Sequence, residues 1–261
     1  MREGPIVASI SGGKDSTALC LHLKEQGIEY RTVHMDTGWE HPDTDSYIRD
    51  VLNDAIGPVE WISGPMLMRE LIIKKAMFPS RLRRYCTSFL KIYPFMQWLS
   101  MNYPHDQVVN ATGIRAAESR ARAELEEWED LDWATTWRPL LTWSEQDVID
   151  IHTRHGLAPN PLYLMGARRV GCWPCIFSCK KEIEMVARLT PERIDEIREL
   201  ERMLTEKANA PRAFFHPHDK REIPTIDDVV AWSRTAHGGK QYEMFTEDDR
   251  AGCMRWGLCE S

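Results

Sequence analysis

The chain has 261 residues, of which 43% are hydrophobic and 28% are charged, and its formal net charge is -7. This composition is typical of a globular protein with one large domain and an appendage. No stretch reaches the roughly 18 to 20 apolar residues of a membrane span, and the first residues lack the apolar core of a signal peptide. We therefore expect a cytoplasmic protein with no membrane partner, and the acidic balance excludes a protein coated in basic residues for non-specific nucleic-acid binding.

Strand and helix signals alternate along the first half of the chain. Residues 5–10 are a short apolar run, a helix is predicted over residues 17–24, and residues 30–35 and 107–112 supply further strands. Such alternation predicts an α/β fold with a doubly wound, mostly parallel sheet and helices on both faces. Right-handed crossovers would place the functional loops at one edge of that sheet.

The second half of the chain changes character near residue 166. Five of the seven cysteines follow that point, and a long charged helix is predicted from Pro191 to Lys207 with Thr190 as its cap. Ser144 marks the start of an earlier helix. We expect a nucleotide-binding domain over residues 1–165 and a cysteine-bearing, mainly helical C-terminal appendage over residues 166–261 that packs on it.

A glycine-rich loop joins the first strand to the first helix, with the sequence Ser11-Gly12-Gly13-Lys14-Asp15-Ser16. A turn at that position points backbone N–H groups and the positive end of the helix at one spot, where phosphate oxygens bind. The adjacent glycines, and the Asp-Ser that follows the lysine, distinguish the loop from the Walker pattern. The loop therefore predicts a phosphate site of another type.

Cysteines and basic residues mark further candidate sites. Cys172 and Cys175 form a CxxC motif, which is typical of either a tetrahedral metal site or a redox pair and does not decide between them. Cys20 lies between two leucines of the first helix and is predicted to be buried. Positive charge is concentrated in an eleven-residue window without an acid, which indicates a focused anion site and contains Arg81, Arg83, Arg84 and Lys91.

The glycine loop resembles the PP-loop of the ATP-pyrophosphatase superfamily. Further matches follow in order: Asp36-Thr37-Gly38, the segment from Thr112 to Arg120, Arg138-Pro139-Leu140, and the segment from Asn160 to Cys175. Together these segments, which cover residues 5 to about 180, resemble the phosphoadenosine phosphosulfate (PAPS) reductase family.

The resemblance implies that an adenine nucleotide, which is PAPS, adenylyl sulfate (APS) or ATP, binds at the loop. Lys14 and Arg115 are implied to act in catalysis, and the guanidinium of Arg115 has the geometry of a bidentate anion clamp. The implied nucleotide-binding residues are Ser9, Ser11, Gly12, Gly13, Lys14, Asp15, Ser16, Asp36, Gly113 and Arg115.

The resemblance also implies a metal centre. Cys86 lies in a segment similar to one that carries two adjacent cysteines in the iron-sulfur adenylyl-sulfate reductases, although Tyr85 replaces the first of them here. Cys86, Cys172 and Cys175 would then hold a 4Fe-4S cluster, with zinc as the alternative. We assign Cys179 as the fourth ligand, while Cys253, Cys259 or a three-cysteine cluster remain open.

Three functions follow from these features. The first is a PAPS or APS reductase-like oxidoreductase, to which a thiol donor such as thioredoxin would supply electrons. The family's catalytic thiol lies in a C-terminal Glu-Cys-Gly-Leu-His element, which is absent here. Cys259 is therefore our hypothesis for the thiol that attacks sulfur. The second is an ATP-dependent sulfurtransferase that uses Mg2+ and a sulfur donor to modify DNA or tRNA. The third is a non-catalytic nucleotide or nucleic-acid-binding module with structural zinc. A homodimer is compatible with each function.

Overall fold

The computed structural model describes residues 4–105, 107–215, 223–236 and Trp256. Its strands form one six-stranded sheet with the order β3-β2-β1-β4-β6-β5. All neighbouring strands are parallel except β5 and β6, which run antiparallel. The strands are β1 (Ile6–Ile10), β2 (Arg31–Met35), β3 (Val59–Ile62), β4 (Val109–Ala111), β5 (Trp128–Leu131) and β6 (Ala134–Trp137). The predicted α/β fold with a mostly parallel sheet is confirmed.

Helices connect the strands and make up most of the described C-terminal region. They are α1 (Lys14–Glu25), α2 (Pro42–Ser46), α3 (Asn53–Ile56), α4 (Met68–Lys75), α5 (Tyr85–Thr87), α6 (Tyr93–Asn102), α7 (Arg120–Ala123), α8 (Glu145–Arg154), α9 (Pro161–Leu164), α10 (Lys180–Leu189), α11 (Pro191–Ala208) and α12 (Ile226–Ser233). Tyr47–Leu52 and Ser88–Ile92 are π-helical, and Ala116–Glu118 is a 3-10 turn. No helix in these described ranges is long and apolar enough to cross a membrane.

Both faces of the sheet are covered by helices, as a doubly wound fold requires. Side chains alternate between the two faces along a strand. On β1, Ala8 and Ile10 belong to the hydrophobic cluster that includes α1 and α8, while Val7, which is adjacent to Ala8, belongs to a second cluster with Phe95 of α6. Cys20 is fully buried in the first of these clusters, as predicted.

A third hydrophobic cluster joins the C-terminal helices to the first half of the chain. It contains Trp39 and residues of α4 together with residues of α10, α11 and α12. Trp39 is fully buried, its Nε1 donates to the carbonyl oxygen of Pro174 at 3.1 Å, and its own carbonyl accepts from the Trp173 N–H at 2.7 Å. The CxxC motif is thereby attached to the segment that follows β2. The division of the chain after residue 165 stays a prediction.

The predicted helix caps have different outcomes. The Ser144 hydroxyl accepts from the N–H of Asp147 at 3.2 Å, so the cap of α8 is confirmed. Thr190 is the N-cap residue of α11, as predicted, but its side chain forms no capping hydrogen bond. Its hydroxyl donates to the carbonyl of Val186 at 3.1 Å and accepts from Nε1 of Trp173 at 2.7 Å. The buried indole N–H needs an acceptor, and the hydroxyl serves it instead of the helix.

Candidate functional site

The glycine loop lies between the end of β1 and the start of α1. Gly12 has a φ of +70° and a Cβ at this position would lie 2.7 Å from Cγ2 of Thr44, so both the backbone conformation and the space require glycine. The hydroxyl of Ser16 donates to the carbonyl of Gly13 at 3.0 Å and accepts from the N–H of Ser11 at 3.3 Å. These bonds hold the loop closed at the N-terminus of α1, where phosphate binding is favoured.

Two side chains that are distant in sequence hold the loop from the other side. Nδ2 of Asn160 donates to the carbonyl of Gly12 at 3.2 Å, and the N–H of Lys14 donates to the hydroxyl of Tyr163 at 3.1 Å. Burial raises the pKa of Tyr163, so its hydroxyl stays neutral. Both residues lie in a segment that resembles the family, but no role was predicted for either; the available signal was a polar Asn and Tyr within a short, otherwise apolar segment.

The charged groups of the loop are paired with one another. Nε of Arg115 lies 2.6 Å from Oδ1 of Asp15, and Nζ of Lys14 lies 3.6 Å from Oδ2 of the same carboxylate and 3.4 Å from Oε1 of Glu145. The side chain of Arg115 is 5% exposed. Its backbone N–H donates to the carboxylate of Glu118 at 2.9 Å. Asp15 therefore neutralises the arginine that was predicted to clamp the substrate anion.

One cavity of about 390 Å³ connects the loop to the cysteine motif. This volume lies in the range of small-molecule sites. On the nucleotide side it is lined by Ser11, Gly13, Asp15, Ser16, Gly113 and Tyr163, and on the cysteine side by Lys91, Gly171, Cys172, Trp173, Cys175 and Ser178. The structure thus brings the predicted phosphate loop and the CxxC motif to the same cavity.

Other predicted site residues lie near this cavity without lining it. Ser9 is within β1, next to Val33 of β2, and Asp36 follows β2 and accepts the N–H of Gly38 at 2.8 Å. Arg115 is not among the described residues that line the cavity. Their nucleotide-binding roles stay predictions. Cys253 and Cys259 lie outside the described residues.

Lys91 and three cysteines form a common electrostatic environment. The pKa of Lys91 is raised, chiefly by Cys172 and further by Glu40, Cys175 and Cys86, against the opposing effect of burial. Burial raises the pKa of Cys172 to about 11, although the Lys91 ammonium opposes this shift. At neutral pH, Cys172 is therefore a protonated thiol beside a charged lysine. From the sequence, Lys91 was grouped with nearby arginines as an anion site and was matched to the family segment that carries Cys86; its interaction with Cys172 was not predicted.

The four cysteines that were predicted as metal ligands do not form one metal-binding group in the described part of the chain. Within the described ranges, no three His, Cys, Asp or Glu side chains form a group that could hold a metal ion. Cys86, Cys172 and Cys175 each interact electrostatically with Lys91. Cys179 precedes α10, where its N–H donates to the carboxylate of Glu182 at 2.9 Å. The four-cysteine ligand set remains a prediction.

Two ion pairs that sequence analysis did not assign complete the cavity. Arg122 pairs with Glu118, and Nε of Arg169 lies 3.5 Å from Oε1 of Glu182. All four residues line the cavity. Each guanidinium is partly exposed, so both arginines can contact an anionic ligand and remain paired with the neighbouring carboxylate.

The fold and the cavity define a nucleotide-binding α/β protein whose phosphate loop follows the first strand. Residues 5–178 match the phosphoadenosine phosphosulfate reductase domain, and the chain belongs to this family.

Three relatives illustrate the range of the family. The chain is 30% identical to an uncharacterized 37.8 kDa protein of Escherichia phage 186, over 97% of this chain and 96% of the phage protein. It is 28% identical to an adenosine 5'-phosphosulfate reductase of Streptomyces coelicolor, over 60% of this chain and 66% of that enzyme. The crystal structure of PAPS reductase from Candida auris has a similar fold, with a TM-score of 0.50 and 19% identity over 66% of this chain and 83% of that one.

Proposed function

We propose that this protein is an enzyme that binds an adenine sulfonucleotide, PAPS or APS, and carries out sulfur reduction or transfer. The observation that carries the proposal is that one cavity is lined by the phosphate loop and by Cys172 and Cys175. A nucleotide whose phosphate binds at the loop would extend toward the cysteine motif. The names of the reductases among its relatives support the same class of substrate.

The loop supplies the groups that an oxyanion needs. The backbone N–H groups of the loop and the positive end of α1 would bind the phosphate, and the hydroxyls of Ser11 and Ser16 lie on the cavity wall beside them. The ammonium of Lys91 lines the same cavity on the cysteine side. It would face the sulfate end of the nucleotide, where it neutralises negative charge as sulfur is attacked.

The proposed reaction begins when a cysteine thiolate attacks the sulfur atom of the sulfonucleotide. A sulfur-sulfur bond forms, the bond between sulfur and the phosphate oxygen breaks, and the nucleoside phosphate leaves with the electron pair. A donor thiol of thioredoxin type then attacks the cysteine sulfur and releases sulfite, and a second donor thiol reduces the mixed disulfide. We assign the attack to Cys259, because Cys86, Cys172 and Cys175 are the proposed metal ligands and Cys259 lies in the C-terminal Gly257-Leu258-Cys259-Glu260 sequence, which resembles the family's catalytic element in composition.

Cys86, Cys172 and Cys175 would hold a 4Fe-4S cluster, with Cys179 as fourth ligand and zinc as the alternative metal. Thiol donors suit both metals, and the ammonium of Lys91 beside three of the cysteines would stabilise thiolates or a negatively charged cluster. When bound, the cluster would supply a polarisable, redox-active group next to the nucleotide. Anaerobic purification followed by iron, zinc and sulfide analysis tests this assignment, with Cys86→Ser expected to lower the metal content and Cys20→Ala to preserve it.

A second candidate function is ATP-dependent sulfur transfer. The observation that favours it is the Asp15 carboxylate on the cavity wall, in a loop suited to phosphate. Asp15 is paired with Arg115 and lies close to Lys14, and its carboxylate oxygens are also suitable ligands for the Mg2+ that would accompany ATP.

One experiment separates these functions. The purified protein is incubated with PAPS, APS or ATP, with and without Mg2+ and a dithiol, and sulfite and pyrophosphate are measured. Sulfite release supports the reductase, and release of pyrophosphate from ATP alone supports sulfur transfer. Tight nucleotide binding with neither product supports the non-catalytic module. Unchanged sulfite release by Cys259→Ser, with Cys20→Ala as the matched control, would exclude Cys259 as the attacking thiol.

A further inference from the structure

One stretch of the chain has a charge opposite to that of the whole protein. Residues 71–105 contain no Asp or Glu and carry six basic residues, whereas the net charge of the chain is -7. The basic residues are Lys74, Lys75, Arg81, Arg83, Arg84 and Lys91. Lys91 belongs to the cavity, so the other five have no role in the function proposed above.

The three arginines of this stretch, Arg81, Arg83 and Arg84, are exposed. Among the described residues, no carboxylate forms an ion pair with Arg81, Arg83 or Arg84. Nη1 of Arg83 donates only to Sδ of Met77, at 3.8 Å. This differs from α11, where Arg198 and Arg202 are both paired with acids.

An aromatic ring lies among these arginines. The guanidinium carbons of Arg81 and Arg84 lie 5.6 Å and 5.2 Å from the ring centre of Phe177. A second pair on the same stretch places Nζ of Lys75 4.3 Å from the ring centre of Phe89, which is 37% exposed. We call Arg81, Arg83, Arg84 and Phe177 the basic face.

The basic face borders the catalytic cavity. Phe177 lies in the turn that follows the CxxC motif, in which the N–H of Ser178 donates to the carbonyl of Cys175 at 2.9 Å. Both Cys175 and Ser178 line the cavity. A polymer bound on the basic face would therefore lie beside the turn that forms the cysteine side of the cavity.

We infer that the basic face docks single-stranded nucleic acid. Closely spaced guanidinium groups match the repeated phosphates of a strand, and an aromatic ring between them offers a stacking surface to an unpaired base. A duplex would hide its base planes from Phe177, and an acidic protein would use the cations but not the ring. The inference does not depend on which nucleotide reaction the cavity performs.

The test measures the fluorescence anisotropy of a labelled oligo(dT) of about 16 nucleotides at 50 mM and 200 mM NaCl. The variant R81A/R83A/R84A should bind at least about tenfold more weakly at the lower salt, and its plot of log affinity against log salt should be shallower by about 2, because each lost contact to a single strand contributes about 0.7. The matched control R154A/R198A/R202A removes the same charge from acid-paired arginines and should bind like the wild type.

The variant Phe177→Leu separates nucleic acid from other polyanions. It should weaken oligonucleotide binding by about tenfold through lost stacking and leave heparin binding unchanged. Absence of oligonucleotide binding at 50 mM NaCl, equal loss in the control variant, or equally tight binding of polyglutamate would overturn the inference. The same variants are titrated with PAPS and ATP; a wild-type protein that binds neither contradicts the proposed function without bearing on the basic face.

Discussion

Gly113→Ala tests whether the backbone after β4 sets the position of the phosphate loop. A Cβ at Gly113 would lie 2.4 Å from the carbonyl oxygen of Asp15, about 1 Å closer than the 3.4 Å at which ordinary contact begins, and 3.0 Å from the N–H nitrogen of Ser16. Because both neighbours are backbone atoms at the start of α1, the loop itself must shift. Such overpacking costs about 1 to 3 kcal/mol of folding free energy.

Because the N–H groups of the shifted loop would no longer match the phosphate oxygens, we expect Gly113→Ala to lose one or two hydrogen bonds to a charged ligand and to weaken nucleotide binding by about 10- to 100-fold. Isothermal titration with PAPS and with ATP measures the affinity, and urea unfolding measures the stability. The control is Gly156→Ala, which has a φ of +61° and no neighbour within 4 Å of the added Cβ. This variant should lose about 1 to 2 kcal/mol of folding free energy through backbone strain and should bind the nucleotide as tightly as the wild type. Wild-type affinity in folded Gly113→Ala would refute the reasoning.

Three further substitutions test individual groups. Tyr163→Phe removes the acceptor of the buried Lys14 N–H, and urea unfolding should show a loss of about 1 to 3 kcal/mol; an unchanged midpoint would contradict the assigned hydrogen bond. Lys91→Met removes the cation that lowers the pKa of Cys172, so iodoacetamide should modify this thiol more slowly at pH 8. Lys91→Arg keeps the positive charge and should preserve the rate. Equal rates in both variants would argue against the interaction between Lys91 and Cys172. Burial and nearby carboxylates raise the pKa of Asp45 from 3.8 to about 6, so its contribution to stability is fully present below pH 3.8 and is lost as pH rises through 6. At pH 8, the free energy of unfolding of Asp45→Asn should therefore exceed that of the wild type by about 1 kcal/mol, after allowance for solvent screening. Near pH 3.5 the two should be equally stable. Urea unfolding across this pH range measures the difference.

The sequence predicted the features that depend on local patterns. The apolar run before the glycine loop and the helix after it became β1 and α1, and the spacing of later strands led to the correct sheet class. The interpretation of Cys20 as a buried residue was also correct. Each of these features follows from the periodicity or glycine content of a short segment, which tertiary contacts did not override.

Contacts between distant segments could not be predicted from those local patterns. Asn160 and Tyr163 hold the glycine loop across nearly 150 positions, and no local signal states which backbone group a buried amide or hydroxyl will meet. The charge of Lys91 identified an anion site, but its proximity to Cys172 depends on how the π-helical turn packs. Thr190 satisfied the local rule for a helix cap, and the buried indole of Trp173 took its hydroxyl instead. In each case, competition for hydrogen bonds in the folded protein decided the outcome.

The attachment of Trp39 to the cysteine motif has a consequence for how the chain unfolds. Its indole and carbonyl groups bond to Pro174 and Trp173, and the strand-like bridge between Glu40 and Cys172 continues the connection. A fragment ending at residue 165 would lose these partners and expose the fully buried ring of Trp39 to water. Cutting the chain there should thus yield a molten or aggregating fragment, because apolar surface that is buried in the whole chain would be exposed to water.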